Sequence, residues 1–337
     1  MLIPKFWAQA KAAATVPQTG RSGGNRAKKP RMLQRFGWSD LSQDAAEQHA
    51  NARLAAAIEQ AQVHGVLERG ETMGPGVAPL ERIAPYGQDG IPIREEIIAE
   101  HPHATLTRNR YGAICLNTAN VLFADVDVPH FSESTTITYL VLLLAIPLIY
   151  YQYIWHTLAL LPLLLILYFW NQTQARKHMA NIRLELLDAM RCVANRNNEL
   201  LLRVYETPNG YRVLALHALF DPAAEATTAL LTALSCDPHY RHMCLIQQCF
   251  RARVSAKPWR TAMTNPRAPH RIAVWPLPEE KVAMRRIWVQ EYERAAQGFA
   301  ACRYLETLGR GTPNDVAMDV CTLHDAQSNA NSMMPLA

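Results

Sequence analysis

From Ile137 to Trp170 the chain runs for 34 residues without an Asp, Glu, Lys or Arg. A run of that length is hard to bury in a globular core, and it predicts a membrane-inserted segment. As one straight helix it would be ~51 Å long against a hydrocarbon core of about 30 Å. Two short spans over 137–151 and 156–170 fit better, with Gln152 and His156 as the polar interruption between them. Tyr150, Tyr151, Tyr153 and Trp155 cluster at that turn as interfacial aromatics do, and Trp170 closes the second span. A re-entrant or strongly tilted span is the other arrangement. Arg176, Lys177 and Arg183 follow closely and place the C-terminal flank in the cytoplasm.

The whole chain of 337 residues is 49% hydrophobic, enough for a real core and for one large or two ordinary domains. The net charge of +5 is uneven: Lys5, Lys11, Arg21, Arg26, Lys28, Lys29, Arg31 and Arg35 all precede the first acid, Asp40. Residues 1–40 therefore read as a basic, poorly ordered arm, either solvated or touching anionic lipid or nucleic-acid phosphate. Seven cysteines spread through a long chain predict reduced thiols rather than a disulfide framework. The opening residues carry no continuous apolar stretch of the kind a secretory signal needs.

Residues 41–103 read as a helical region, with Ser39 or Asp40 as a cap, Ala-rich sequence up to Gly65, and a short helix in "IPIREEIIAEH". Residues 104–254 read as an α+β domain. Strand 120–126 is followed, beyond the apolar run, by helix 174–195 and by strands 199–206 and 211–217, joined at Asn209-Gly210, a pair suited to positive φ. Asp221-Pro222 and Asp237-Pro238 open two helices, and "CFRARVS" is a last strand. That order is βαββαβ, a ferredoxin-like antiparallel sheet with a transmembrane helical hairpin inserted after its first strand. Residues 255–337 form a C-terminal helical extension. If strands from both sides of the insertion pair in one sheet, both flanks share one side. The folded domain and both termini would then be cytoplasmic, at the bacterial inner membrane. Two halves folding separately across a single span are the alternative.

"GIPIREE", "TRNRYGAICLN", "VLFADVDVP", "RVYETPNGYRVLALHALFDP" and "CFRARVSAKPWR", with "LHD" and the final "PLA", resemble a widespread bacterial family of uncharacterised proteins, from about residue 30 onward. Many of its members lack the apolar insertion, and the resemblance implies no activity. A remoter likeness is to the catalytic core of archaeo-eukaryotic primases, which carry an Asp-x-Asp pair on one strand of an RRM-like sheet and a histidine on a neighbouring strand. Asp125 and Asp127 match the pair, whereas Arg212 stands where the histidine is expected.

Residues i and i+2 of a strand share a face, so Asp125 and Asp127 are candidate ligands of a divalent cation such as Mg or Mn. Antiparallel pairing would bring Gly210, Tyr211 and Arg212 beside them, and the start of the last strand would bring Arg251 and Arg253. Arg212, Arg251 and Arg253 are thus candidate phosphate or anion contacts. A structural ion-pair network is the competing reading. Cys236, His239, His242, Cys244 and Cys249 contain zinc-ligand types at no standard spacing, so packed free cysteines are expected. Lys257, Trp259 and Arg260 in "AKPWRT" are a set able to stack a base or clamp a phosphate, and equally a Pro-Trp loop over the sheet. His324-Asp325 has the look of a polarised pair without a visible nucleophile. No Walker loop, dinucleotide fingerprint or nucleophile elbow is present. The expectation is a membrane-inserted protein with a cytoplasmic binding or assembly module of unknown ligand. The alternative is a metal-dependent, nucleotide- or nucleic-acid-directed enzyme.

Overall fold

The computed structural model describes residues 1–14, 31–64, 91–129, 154–263 and 275–337. The chain order is β1 (Phe6–Ala14), β2 (Arg31–Ser39), α1 (Gln43–His64), β3 (Glu96–His101), β4 (Ala104–Arg108), β5 (Ile114–Thr118) and β6 (Phe123–Asp127). After the apolar run come α2 (Ile154–Arg196), β7 (Leu201–Thr207), β8 (Gly210–Ala215), α3 (Glu225–Ala233), α4 (Pro238–Gln247) and β9 (Phe250–Arg253). A 3-10 turn at Pro258–Arg260, α5 (Glu279–Ala296), β10 (Arg303–Gly309) and α6 (Asp315–Ser328) complete it.

The protein is α+β with antiparallel sheets. β6, β7 and β8, which flank the apolar run, lie in one sheet of order β10-β7-β8-β6, so strands from both sides of the run do pair. The last strand goes elsewhere. β9 pairs with β5 in a second sheet, β3-β4-β5-β9, and only touches β6. The outer edge of β6 is capped instead by the loop before α4, where Asp237 N donates to Asp125 O at 2.9 Å. One core joins the sheets. Phe123, Val126, Leu202, Val204 and Val213 meet Leu116, Phe250 and Ala252 from the second sheet, and Leu187 and Met190 of α2 pack on them. Each such side chain contributes about 1.5–3 kcal/mol through burial.

The membrane reading is corrected. Among the described residues no helix is long and apolar enough to cross a membrane, which removes the ground for the transmembrane hairpin and the inner-membrane location. The second expected span is not a separate short helix. Residues 156–170 belong to α2, which continues for 43 residues past Trp170 through Gln172, Arg176, Lys177 and His178 without a break. Trp170 is 61% exposed. The first expected span, with Tyr150, Tyr151 and Tyr153, lies outside the described residues, and Trp155 lies where only the helical backbone is described.

The basic arm holds structure. β1 and β2 pair in register from Phe6↔Ser39 to Ala14↔Arg31, and α1 covers one face through Ala10, Leu33, Ala50 and Leu54. Arg94 lies over the Phe36 ring, 3.8 Å from its centroid, on the other side. The expected short helix in "IPIREEIIAEH" is β3, paired with β4 across a register shift at Ile97/Ala99.

Candidate anion-binding site

Pairing of β6 with β8 sets Asp125 opposite Arg212 and Asp127 opposite Gly210, but the hairpin turns at Pro208-Asn209 rather than at Asn209-Gly210, and neither Asn209 nor Gly210 has a positive φ. Gly210 is needed for space rather than for φ, since a Cβ there would lie 2.1 Å from Val126 O. Asp125 is 39% exposed at its side chain and stands 3.6 Å from Nη2 of Arg212, which is 4% exposed. Arg212 is therefore the buried end of a pair whose other end reaches solvent. Its Nη1 donates to Arg253 O at 2.8 Å and faces His324 Nε2 at 3.4 Å. Burial works against its charge, but Asp125 and neighbouring thiols outweigh that and hold the pKa above the ordinary value.

Beneath Arg212 lies a chain of polar groups. His324 Nδ1 is 3.2 Å from Asp325 Oδ1, and Cys302 Sγ is 3.8 Å from His324 Nε2. Asp325 also accepts from Tyr205 Oη and from Arg203 Nη2, both at 2.6 Å. Because Asp325 can only accept, Nδ1 carries a proton. Burial works against the His324 charge, but Asp325 and Cys302 outweigh it and raise the pKa, and His324 in turn lowers that of the buried Cys302. The nucleophile missing beside His324-Asp325 is thus supplied spatially by Cys302. Yet both Cys302 and His324 are 0% exposed and the ring is enclosed by Phe123 and Tyr205. The trio holds Arg212 in place; it has no route to a substrate.

A third group arrives from the segment after β9. Arg253 feels the charges of Arg212, Asp125 and Arg260, and Lys257 those of Arg253, Arg260, Asp127 and Asp125. Burial first, then the like charges, depress Lys257 to about 8, and burial lowers Arg253 and Arg260 as well. Among the described residues, Arg253 Nε and Arg260 Nη1 are shielded and have no hydrogen-bond partner, while Arg260 Nη2 donates to Asn209 Oδ1 at 2.5 Å. The segment is firmly anchored. Tyr292 of α5 meets Ser255 Oγ at 2.7 Å and donates to Ala256 O at 2.6 Å, and Pro258 is buried. Trp259 remains 49% exposed, edge-on to Tyr111. "AKPWRT" is therefore both a packed loop and a cationic rim.

Arg251 does not join this cluster. It shares a face of β9 with Arg253, but its Nη2 is taken by Glu95 Oε2 at 2.5 Å, which also accepts from Thr107 Oγ1 at 2.7 Å. Four cations, Arg212, Arg253, Lys257 and Arg260, each feel the charge of Asp125, Asp127 or both. The cations outnumber the carboxylates, and Arg212 stands beside Asp125 as its counter-charge. Among the described residues, no group of three or more His, Cys, Asp or Glu is arranged to hold a metal ion. Cys236, Cys244 and Cys249 are buried free thiols. Two contributions were hidden from sequence reasoning: the stacking of α6 beneath Arg212, and the diversion of β9 to the second sheet. No family model, no curated protein and no solved structure matches the chain.

Proposed function

We propose that this protein is a binding module for a phosphorylated small molecule, with a nucleotide as the leading class. The observation that carries the reading is the cationic excess around Asp125 and Asp127, where Arg212, Arg253, Lys257 and Arg260 face two carboxylates. Phosphate oxygens are acceptors that match the fork geometry of guanidinium groups. Trp259, exposed at the rim, offers a face for a base to stack on. The connectivity β6-α2-β7-β8-α3-α4-β9 supports reading this half as a ferredoxin-like unit whose fourth strand pairs with β5. The Asp-x-Asp strand, with its likeness to the primase core, is in keeping with a nucleotide.

Calorimetry of the full chain with ATP and with tripolyphosphate tests the reading. Both should bind, with affinity falling as salt rises, ATP more tightly through the stack. Arg253→Ala and Arg260→Ala should each weaken binding by about tenfold, the order of one charge-assisted hydrogen bond. Absence of binding by both ligands, or equal binding by wild type and both variants, would overturn it.

A further inference from the structure

We propose that Arg110, Tyr111, Trp259 and Lys257 form a platform for single-stranded nucleic acid, which extends the site from one nucleotide to a strand. The proposal rests on the anion-binding reading above. Geometry carries it. The Tyr111 ring meets Trp259 edge-on, with centroids 5.8 Å apart and planes at 83°. The Arg110 guanidinium lies over the Tyr111 ring, 4.6 Å from its centroid, and donates to the Tyr111 hydroxyl. Lys257 Nζ lies 5.7 Å from the Trp259 centroid. Two rings from two loops are thus adjacent, with a cation against each. Arg110 and Trp259 are exposed and Tyr111 and Lys257 half-buried, so the row opens to solvent.

Both loops are set before any ligand arrives, and α5 sets them. In the loop between β4 and β5, Asn109 Oδ1 accepts from Tyr111 N at 2.9 Å and from Ala113 N at 3.1 Å. Gly112 adopts φ 94°, a conformation suited to glycine, and a Cβ there would lie 2.2 Å from the Trp288 ring. Trp288 of α5 therefore closes against this loop. One turn on, Tyr292 holds Ser255 and Ala256 of the other loop, and its ring stacks on Trp288 with centroids 5.5 Å apart. A surface already rigid in its binding form loses less conformational entropy when a ligand arrives.

Charge decides between a mononucleotide and a strand. A nucleoside triphosphate carries its phosphates on one side of its base, where Arg253 and Arg260 already serve. Arg110 belongs to the other loop and stands against the other ring, so a ligand with phosphate at one end leaves it unused. A single strand has a phosphate on each side of every internal base, and rings that accept bases with cations flanking them match that repeat. Every base offers a π face, so the expected sequence preference is weak. Packing of the two loops does not by itself require Trp259 to keep 49% of its surface exposed.

The test is fluorescence anisotropy of the full chain with a short labelled oligothymidylate at several salt concentrations, with ATP and inorganic polyphosphate as competitors. The oligonucleotide should bind more tightly than ATP and more tightly than polyphosphate of similar charge. Arg110→Ala should weaken oligonucleotide binding about fivefold, more than it weakens ATP, and should reduce the salt slope by about 0.7, the value for one phosphate contact on a single strand. Tyr111→Leu should cost about tenfold and leave the salt slope unchanged, because it removes a stacking face and no charge. If ATP binds but the oligonucleotide binds no tighter, or both variants match the wild type, the platform is overturned and the nucleotide site survives. Polyphosphate binding as tightly as the oligonucleotide would also overturn the platform, since the rings would then contribute nothing. If neither ATP nor the oligonucleotide binds, both statements fall.

Discussion

Asp325 carries more of the molecule than its position beside His324 conveys. It receives Tyr205, Arg203 and the His324 ring at once, and its side chain is 11% exposed. Burial alone would raise its pKa, but the hydrogen bonds from His324 and Tyr205 together with the Arg203 charge lower it below the ordinary 3.8. The unfolded chain takes up that proton near 3.8, whereas the folded chain does so only at lower pH. The contribution is therefore whole above pH 3.8 and disappears as the pH falls through the folded value. Asp325→Asn should cost about 2–4 kcal/mol at neutral pH, because Arg203 keeps its charge in a half-buried place without a counterion. Denaturant melts at neutral and acid pH check this: the gap between wild type and variant should narrow in acid. An equal gap at both values would show that the hydrogen bonds, not the charge, matter.

At the scale of elements, the β7–β8 hairpin decides where the aspartates point. Thr207 pairs with Gly210 across a two-residue turn, and Val128 N donates to Asn209 O at 2.9 Å, so β6 is pressed against the hairpin end. Gly210→Ala would drive a methyl group into Val126 O, with Val128 N a further 3.0 Å contact. Separation of β6 from β8 at that end should cost about 1–3 kcal/mol, as overpacking does. A thermal melt measures the loss, and ATP affinity should fall with it, because Asn209, which holds Arg260, sits at the displaced end. An unchanged melt would mean that β6 can shift freely, which the Asp237 N to Asp125 O bond opposes.

Across the whole molecule, the segment after α5 completes the sheet and the site floor together. β10 pairs with the outer edge of β7, and Cys302, Leu308, Ala317, Val320 and Cys321 belong to the shared core. Deletion of residues 298–337 would uncover Leu202, Val204 and Tyr205 and remove His324 from beside Arg212. The shortened chain should lose its cooperative melt in circular dichroism; a sharp transition near that of the full chain would show that the extension is an appendage.

What the sequence determined by itself was local and periodic. The Ala-rich stretch of helix formers gives α1, Asp237 caps α4 through Tyr240 N at 2.7 Å, and the two-residue spacing in "VLFADVD" puts Asp125 and Asp127 on one face of β6. These features depend on neighbours within a few residues. Tertiary structure alone decided the rest. β3 has no clean alternation to announce it, since its residues are only partly buried at a sheet edge, and its strand form comes from pairing with β4. β1 is mostly alanine, a weak strand former, and is a strand because Trp7, Leu33 and Phe36 find cover in α1 and Arg94. β9 carries the expected strand pattern, but a strand's pattern says which face is buried and not which neighbour it joins. Its pairing with β5 sends Arg251 to Glu95 and leaves Arg253 at the rim with Lys257 and Arg260. The long apolar run promised a membrane because apolar length is what a sequence displays. Whether a helix ends at the edge of such a run or continues past it through charged residues, as α2 does to Arg196, depends on contacts made far along the chain.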